Sequence, residues 1–374
     1  MSLYFSGREK MALRWNGNGV LSKGKTRWDR VIVVMVVMVV MMMECEGFGN
    51  FQMPKFEFPK FGNMNNDSQN KQKKSGGALE AGDTIAVIGA SGNVGKLVAY
   101  RLSDTYKVNG VVRDVSSVES FFEGRKDRIT LFETDLLPTT STGATEVMKQ
   151  ALEGANAIVI CTGTTAYPTK AWTKNGKEQP QLASNVCKAL IDNSFSIPDA
   201  MISLDEQGWN TPNNVDDKSN QLLVQTWNQC CSTQKKRIIM LSSIGVNRRD
   251  TMPFPILNAC GVLTAKAAGE SAIMESAKEN GYSYTIVRPG QLFGGPYDNN
   301  YNNLETLFQL DADTQDITCQ QGDTLVGDTL RSTLAEVTAQ ICEGNYANNM
   351  DFAVINTKGD TPSLDTLQQR LSSL

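Results

Sequence analysis

The stretch TIAVIGASGNVGKLVAYRLSD, residues 84–104, decides the fold. TIAVIG is a short apolar, β-branched run of the kind that forms a strand buried on both faces. The residues after it carry Val94, Leu97, Val98 and Leu102 at helical spacing and predict an amphipathic helix. Between the two lies GASGNVG, with Gly89, Gly92 and Gly95 three residues apart. One glycine turns the chain off the strand, one lets backbone approach a pyrophosphate, and one lets helix pack on strand, so that the helix N-terminus faces the phosphates. A glycine motif alone is weak evidence, but here strand and helix flank it as the motif requires. The predicted contacts at this turn are Gly89, Ser91, Gly92, Asn93, Val94 and Gly95.

Further strands follow. VNGVVRD ends at Arg113, roughly twenty residues beyond the glycines, where a site for NAD places a carboxylate on the ribose hydroxyls. A guanidinium there suits a 2′-phosphate, which favours NADP(H) with NAD still possible; Asp114 is the alternative reader if the strand ends one residue later. ITLFETD leads to Asp135 and Leu136, and NAIVICTG to Thr162, Gly163 and Thr164. RIIMLSSIG ends in Ser242 and Ser243, and SYTIVRPG in Arg288, Pro289 and Gly290. Helical runs over 144–152 and 265–280 separate them, and this alternation predicts an α/β chain with a doubly wound parallel sheet, a Rossmann fold. Strand ends along one edge of such a sheet are where a ligand lies, so Asp135, Leu136, Thr162, Gly163, Thr164 and Pro289 join the predicted cofactor contacts.

Composition narrows the chemistry. The 374 residues carry 36 basic and 40 acidic side chains, a net charge of −4, which gives no overall attraction for nucleic acid or an anionic membrane. Eight cysteines form no CxxC pair, which argues for a reducing compartment and no zinc site. Histidine is absent, which removes the commonest general base and most transition-metal sites. Proton chemistry falls to Lys, Tyr, Asp, Glu or Cys, and no metal is expected.

The predicted organisation is a leader over 1–43, a Phe/Pro-rich then polar linker over 44–80, and the cofactor-binding domain over 81–374. The first thirty residues are basic and run into VIVVMVVMVVMMM, residues 31–43. That run is shorter than the about 20 residues a membrane span needs but suits the apolar part of a targeting sequence. Because Val and Met share codons of one form, a short nucleotide repeat or a misplaced start codon would also read this way. Phe51, Phe56, Phe58 and Phe61 follow in a Pro-broken segment that either docks on a protein partner or folds back on the domain.

The set GASGNVG, VVRD, TDL, CTGTTAYPTKAW, LSSIGV, AKAAGE and YTIVRPG, in that order, resembles an atypical short-chain dehydrogenase/reductase. It is most similar to the NAD(P)-binding, NmrA/Tic62-like plastid branch of plants and algae, over about residues 84–374. The resemblance implies a chloroplast protein with a transit peptide. It also implies a small substrate-side region after Pro289, over about 290–350, in which Asp328 and Arg331 read as a local ion pair. The chain departs from the resemblance in an insertion over about 181–209.

In active short-chain reductases a tyrosine four residues before a lysine exchanges a proton with the substrate oxygen, the lysine holds the nicotinamide ribose, and a serine at the end of the fifth strand binds the same oxygen. Helical i, i+4 spacing brings Tyr and Lys to one face. By that resemblance Lys266 fits the lysine and Ser242 or Ser243 the serine, but the tyrosine position is Val262. Three expectations stay open. The chain is a cofactor-dependent scaffold, assembly or redox-sensing factor; or it is an NADPH-dependent reductase of a quinone, flavin or carbonyl compound whose acid is Tyr167, Tyr297, Tyr301 or water; or the glycine loop is a remnant that binds nothing.

Overall fold

Alternation within the first strand explains the layering. In the computed structural model, which describes residues 77–137, 144–169, 171–174, 180–294 and 314–374, β1 (Thr84–Ile88) points Ile85 and Val87 into one apolar core and Ala86 and Ile88 into another. A strand buried on both faces reads as a continuous apolar run, because helices cover the sheet above and below. The leader, the Phe-rich segment and most of the linker lie outside the described residues.

Helix α1 (Asn93–Leu102) follows the glycine turn and leads to β2 (Lys107–Val112) and β3 (Ile129–Glu133). α2 (Glu146–Glu153) starts at Thr145, whose side chain accepts from the Met148 amide as an N-cap, and is followed by β4 (Ala157–Ile160). After the insertion, a π-helical turn (Asn213–Lys218) runs into α5 (Ser219–Cys230), and β5 (Arg237–Leu241) follows. Beyond it come the short α6 (Phe254–Leu257), the long α7 (Val262–Asn280) and β6 (Ser283–Pro289).

The sheet has eight strands in the order β3-β2-β1-β4-β5-β6-β10-β8. All neighbours are parallel except β8 (Asp316–Gln321), which runs antiparallel to β10 (Met350–Thr357) at the edge. This is the doubly wound α/β sheet that the sequence predicts, with one addition. The edge strand DITCQQ shows no apolar alternation, since Ile317 alone is buried in it. β7 (Gln291–Phe293) and β9 (Asp328–Leu330) form a separate parallel pair. The helical run after β9 therefore begins at Arg331, in α8 (Arg331–Gly344), whose Arg331 guanidinium reaches the Gly294 carbonyl at 2.5 Å. α9 (Leu364–Ser372), capped by Ser363, follows β10.

Arg101 on α1 grips α8 through Glu336 and Glu343 at 2.8 and 2.9 Å. Burial opposes its charge, but these two carboxylates outweigh it and hold the guanidinium above its ordinary value. The helix that starts at the glycine turn is thus tied at its far end to the carboxyl-terminal part of the fold.

The insertion over 181–209 is itself folded. It builds α3 (Leu182–Asp192) and α4 (Ile197–Glu206), and these bury Leu182, Val186, Leu190 and Leu204 with Trp172 and Trp209 in a third apolar cluster. Its neck is pinched by an antiparallel bridge between Lys174 and Trp209.

Candidate functional site

The three glycines of the first turn have distinct steric reasons. Gly89 takes φ +82°, and a Cβ there would lie 2.7 Å from Thr162 Cγ2. A Cβ on Gly95 would lie 2.1 Å from the Gly89 carbonyl oxygen, so only glycine lets α1 pack this close to β1. Gly92 is different: it is exposed, and a Cβ there would meet only the Gly89 oxygen, at 3.3 Å. Gly92 is also the N-cap of α1, which has no side-chain cap and no acidic residue in its first turn. The first amides of α1, with Asn93 half-buried and Val94 buried, thus keep the donors and the positive helix end that an anion needs. A dinucleotide pyrophosphate fits this cradle; Ser91, half-buried, borders it.

The other predicted contacts follow strand ends along the same edge of the sheet. Arg113, exposed just after β2, donates from Nη1 to Thr173 Oγ1 at 2.7 Å. Beside it the Asp114 carboxylate accepts from the Ser116 hydroxyl and amide, which hold it below the usual carboxylate range. Asp135 and Leu136 follow β3, where Asp135 Oδ1 accepts from the Leu137 amide at 3.3 Å. Thr162, Gly163 and Thr164 follow β4, and Thr162 Oγ1 is buried with no hydrogen-bond partner among the described residues. Pro289 ends β6, and its carbonyl accepts from the Ile244 amide at 2.9 Å.

Lys266, on α7, is 7% exposed, and its Nζ donates to Asp216 Oδ1 at 2.7 Å. Asp216 comes from the π-helical turn, and its other oxygen accepts from the Thr164 amide at 3.1 Å and from the Thr164 hydroxyl. Gly163 lies against this pair: a Cβ there would stand 3.0 Å from Lys266 Nζ. The close approach also needs Gly269, where a Cβ would lie 2.2 Å from the Asp216 carbonyl oxygen. One helical turn from Lys266, Glu270 accepts from the Ser242 hydroxyl at 2.5 Å and from Arg288 Nε and Nη2 at 3.1 and 2.7 Å. Burial works against the Arg288 charge, yet Glu270 and Asp351 outweigh it and hold the guanidinium above its ordinary value. The Ser243 hydroxyl donates to the Ile244 carbonyl at 3.0 Å. Val262 opens α7 inside an apolar cluster with Val246, Phe254 and Leu263.

The structure therefore brings the glycine turn, Thr162, Gly163, Thr164, Lys266, Ser242 and Ser243 to one edge of the sheet. Asp216 and Glu270 were not singled out from sequence. Asp216 stands 50 residues before Lys266 with no motif around it, whereas the i, i+4 spacing of Lys266 and Glu270 on a small-residue helix was a signal available to find the latter. Of the alternative acids, Tyr167 donates to the Ile256 carbonyl at 2.8 Å, and burial pushes its hydroxyl above the ordinary range. Tyr297 and Tyr301 lie outside the described residues. Among the described residues no group of three or more His, Cys, Asp or Glu side chains is placed to hold a metal ion, and no helix is long and apolar enough to cross a membrane.

Among solved structures the chain is similar to a protein described as a NAD-dependent epimerase/dehydratase from Bacillus halodurans, with 18% identity and a TM-score of 0.49 over 78% of this chain and 100% of that one. It is similar to the oxidoreductase ylbE from Lactococcus lactis, with 18% identity and a TM-score of 0.48 over 78% and 96%. A short-chain dehydrogenase/reductase from Veillonella parvula in complex with NADP shares 13% identity, with a TM-score of 0.44 over 75% and 99%. No curated protein sequence matches the chain. Residues 89–343 match the family described as NAD(P)H-binding. That match spans more than half of the sequence, from the glycine turn to the end of α8, and the chain belongs to this NAD(P)H-binding family, with a nicotinamide dinucleotide as its cofactor.

Proposed function

We propose that this NAD(P)H-binding, oxidoreductase-like chain uses NADP(H) as a ligand that sets its state, as a cofactor-dependent scaffold, assembly or redox-sensing factor, and not as a reductase of simple carbonyl compounds. One observation carries the reading: at the positions where a carbonyl reductase keeps its proton relay, the tyrosine position is apolar and the lysine and serines are engaged within the protein. Val262 is packed among apolar neighbours, Lys266 is bonded to Asp216, and the Ser242 and Ser243 hydroxyls donate to Glu270 and to the Ile244 carbonyl. A substrate oxygen gaining negative charge during reduction meets no free hydroxyl donor among these four. When bound, the nicotinamide supplies a hydride. What these residues do not supply is a free hydroxyl to donate the proton that a carbonyl acceptor needs.

The exposed Arg113 at the end of β2 supports NADP(H) over NAD(H). The same reading takes residues 1–43 as a targeting leader and the plastid as the destination, on the basic-then-apolar composition and the family resemblance; a fluorescent fusion of residues 1–80 reports it.

The test is a titration of NADPH and NADH into the protein, followed by tryptophan quenching, and then a watch on reduced-nicotinamide absorbance with an aldehyde, quinone and flavin panel. Tight NADPH binding with no oxidation of it is the expected result. Turnover of an aldehyde refutes the proposal. Turnover of a flavin or quinone alone favours the reductase reading, in which water supplies the proton.

A further inference from the structure

We infer that Thr173, at the neck of the helical insertion, is a positioning residue that aims Arg113 at the 2′-phosphate of NADP(H), so that the insertion takes part in cofactor selection. The inference rests on the NADP(H) reading above and deepens it.

The geometry starts from the order of the strands. β1 lies between β2 and β4, and the glycine turn follows β1. Arg113 follows β2 and Thr173 lies on the connection after β4, so their hydrogen bond links the segments that leave the two strands flanking β1. Thr173 is 4% exposed and belongs to a hydrogen-bonded neck. The Asn210 amide donates to the Thr173 carbonyl at 2.8 Å, and Lys174 pairs with Trp209 next to it. The Thr173 hydroxyl oxygen accepts twice, from Arg113 Nη1 at 2.7 Å and from Asn210 Nδ2 at 2.6 Å, which uses both its lone pairs.

Which part of the guanidinium is taken matters. Thr173 occupies Nη1 and leaves the Nε and Nη2 edge of Arg113 with no protein acceptor among the described residues. That edge is the one this protein uses elsewhere to hold a two-oxygen anion. Arg101 presents Nε and Nη2 to Glu336 at 2.8 and 3.2 Å, and Arg288 presents the same pair to Glu270 at 3.1 and 2.7 Å. A long, exposed arginine loses side-chain freedom on binding a phosphate. Anchored at Nη1 by a buried hydroxyl, Arg113 has lost much of that freedom beforehand, with the donors of its bidentate edge unspent. NADH, which has no 2′-phosphate, gains nothing from the anchor.

The experiment measures NADPH and NADH dissociation constants on the full chain by tryptophan quenching, for the parent, Arg113→Ala, Thr173→Val, Thr173→Ser and Arg113→Ala/Thr173→Val, with a thermal melt for each. The expected result for Thr173→Val is a rise of about fivefold to twentyfold in the NADPH constant with the NADH constant unchanged. Thr173→Ser, which keeps the hydroxyl, returns the NADPH constant toward the parent value, and the double variant binds no more weakly than Arg113→Ala alone. If Thr173→Val does not fold, Thr173→Val/Asn210→Leu, which also removes the stranded amide, carries the same comparison. Equal weakening of both cofactors, or an unchanged NADPH constant in a folded Thr173→Val, overturns the positioning role. The two layers separate cleanly. Loss of NADPH preference in Arg113→Ala without any in Thr173→Val sinks only the inference, whereas Arg113→Ala weakening NADPH and NADH alike sinks the NADP(H) reading and the inference with it.

Discussion

Replacing Asp216 by alanine is the sharpest perturbation of the site. Its side chain is fully buried and that of Lys266 is 9% exposed, so the substitution leaves an ammonium with no carboxylate in a site that water barely reaches. It also strips the acceptor from the Thr164 amide and hydroxyl. Removing one member of a buried ion pair costs about 3–5 kcal/mol, because the remaining charge is neither hydrated nor paired. For a domain of this size each kcal/mol moves the melting temperature by about 2 °C, which sets the expected drop at roughly 6–10 °C. Thermal unfolding followed by circular dichroism, without cofactor, reads it directly. The companion is Asp216→Leu with Lys266→Met, which removes both charges at similar volume. It is expected to melt well above either single change, since an apolar pair has no desolvation penalty to offset. A fall of less than 2 °C for Asp216→Ala, or a double variant no more stable than the sum of the singles, would falsify the claim that this pair is a buried, coupled unit.

Two further outcomes test other parts of the argument. Gly95→Ala is expected to weaken NADPH and NADH binding together and to lower the melting temperature, because its Cβ meets the Gly89 oxygen at 2.1 Å and pushes α1 off β1; parent-like binding and melting would refute the close-packing role. Asp316 tests pH dependence: its hydrogen bonds with Arg370 on α9 hold the carboxyl below its ordinary 3.8. A depressed carboxyl contributes stability that is present above the unfolded-state value and is lost as pH falls through the lower folded-state value. Asp316→Asn is therefore expected to melt below the parent at pH 7, by an amount on the order of 1 kcal/mol for this partly exposed pair, and the gap is expected to close as pH falls through the lowered folded-state value. A difference that persists undiminished in acid would show another cause.

What could be read from sequence, and what could not, divides along physical lines. The β1 turn was legible because Gly89 and Gly95 answer local steric demands that repeat wherever a strand feeds a phosphate-facing helix, with Gly92 spaced between them. The strand ends carrying Arg113, Thr162, Gly163, Thr164 and Pro289 were legible because buried parallel strands leave apolar runs and the ligand edge follows from topology. The Lys266 stretch was placed by spacing, but its partner was hidden. Asp216 reaches Lys266 only through tertiary packing of a π-helical turn against α7, a contact that depends on Gly269 and leaves no periodic trace. Glu270 and Arg288 lay inside quoted motifs, yet burial, which makes them a fixed network, is invisible in one sequence. The insertion read as a gap in a resemblance, and its two helices pack with Trp172, which precedes it, and Trp209, at its end. The edge strand β8 was missed because a largely polar strand with a single buried residue, Ile317, resembles a loop.

The position of β10 has a bearing on how the chain is born. β8 is synthesised before β10, yet among the described residues β10 is the one strand it pairs with in the finished sheet, while β10 also completes β6. A nascent chain that has emerged as far as β8 holds β6 with a bare apolar edge and β8 with nowhere to dock. Translation runs at about 5–20 residues per second. The interval between the two strands, from residue 321 to residue 350, thus amounts to about 1.5–6 s at that pace. For those seconds the nucleotide half, through β5, is free to form while the other end of the sheet waits, and it is then that a chaperone has most to protect.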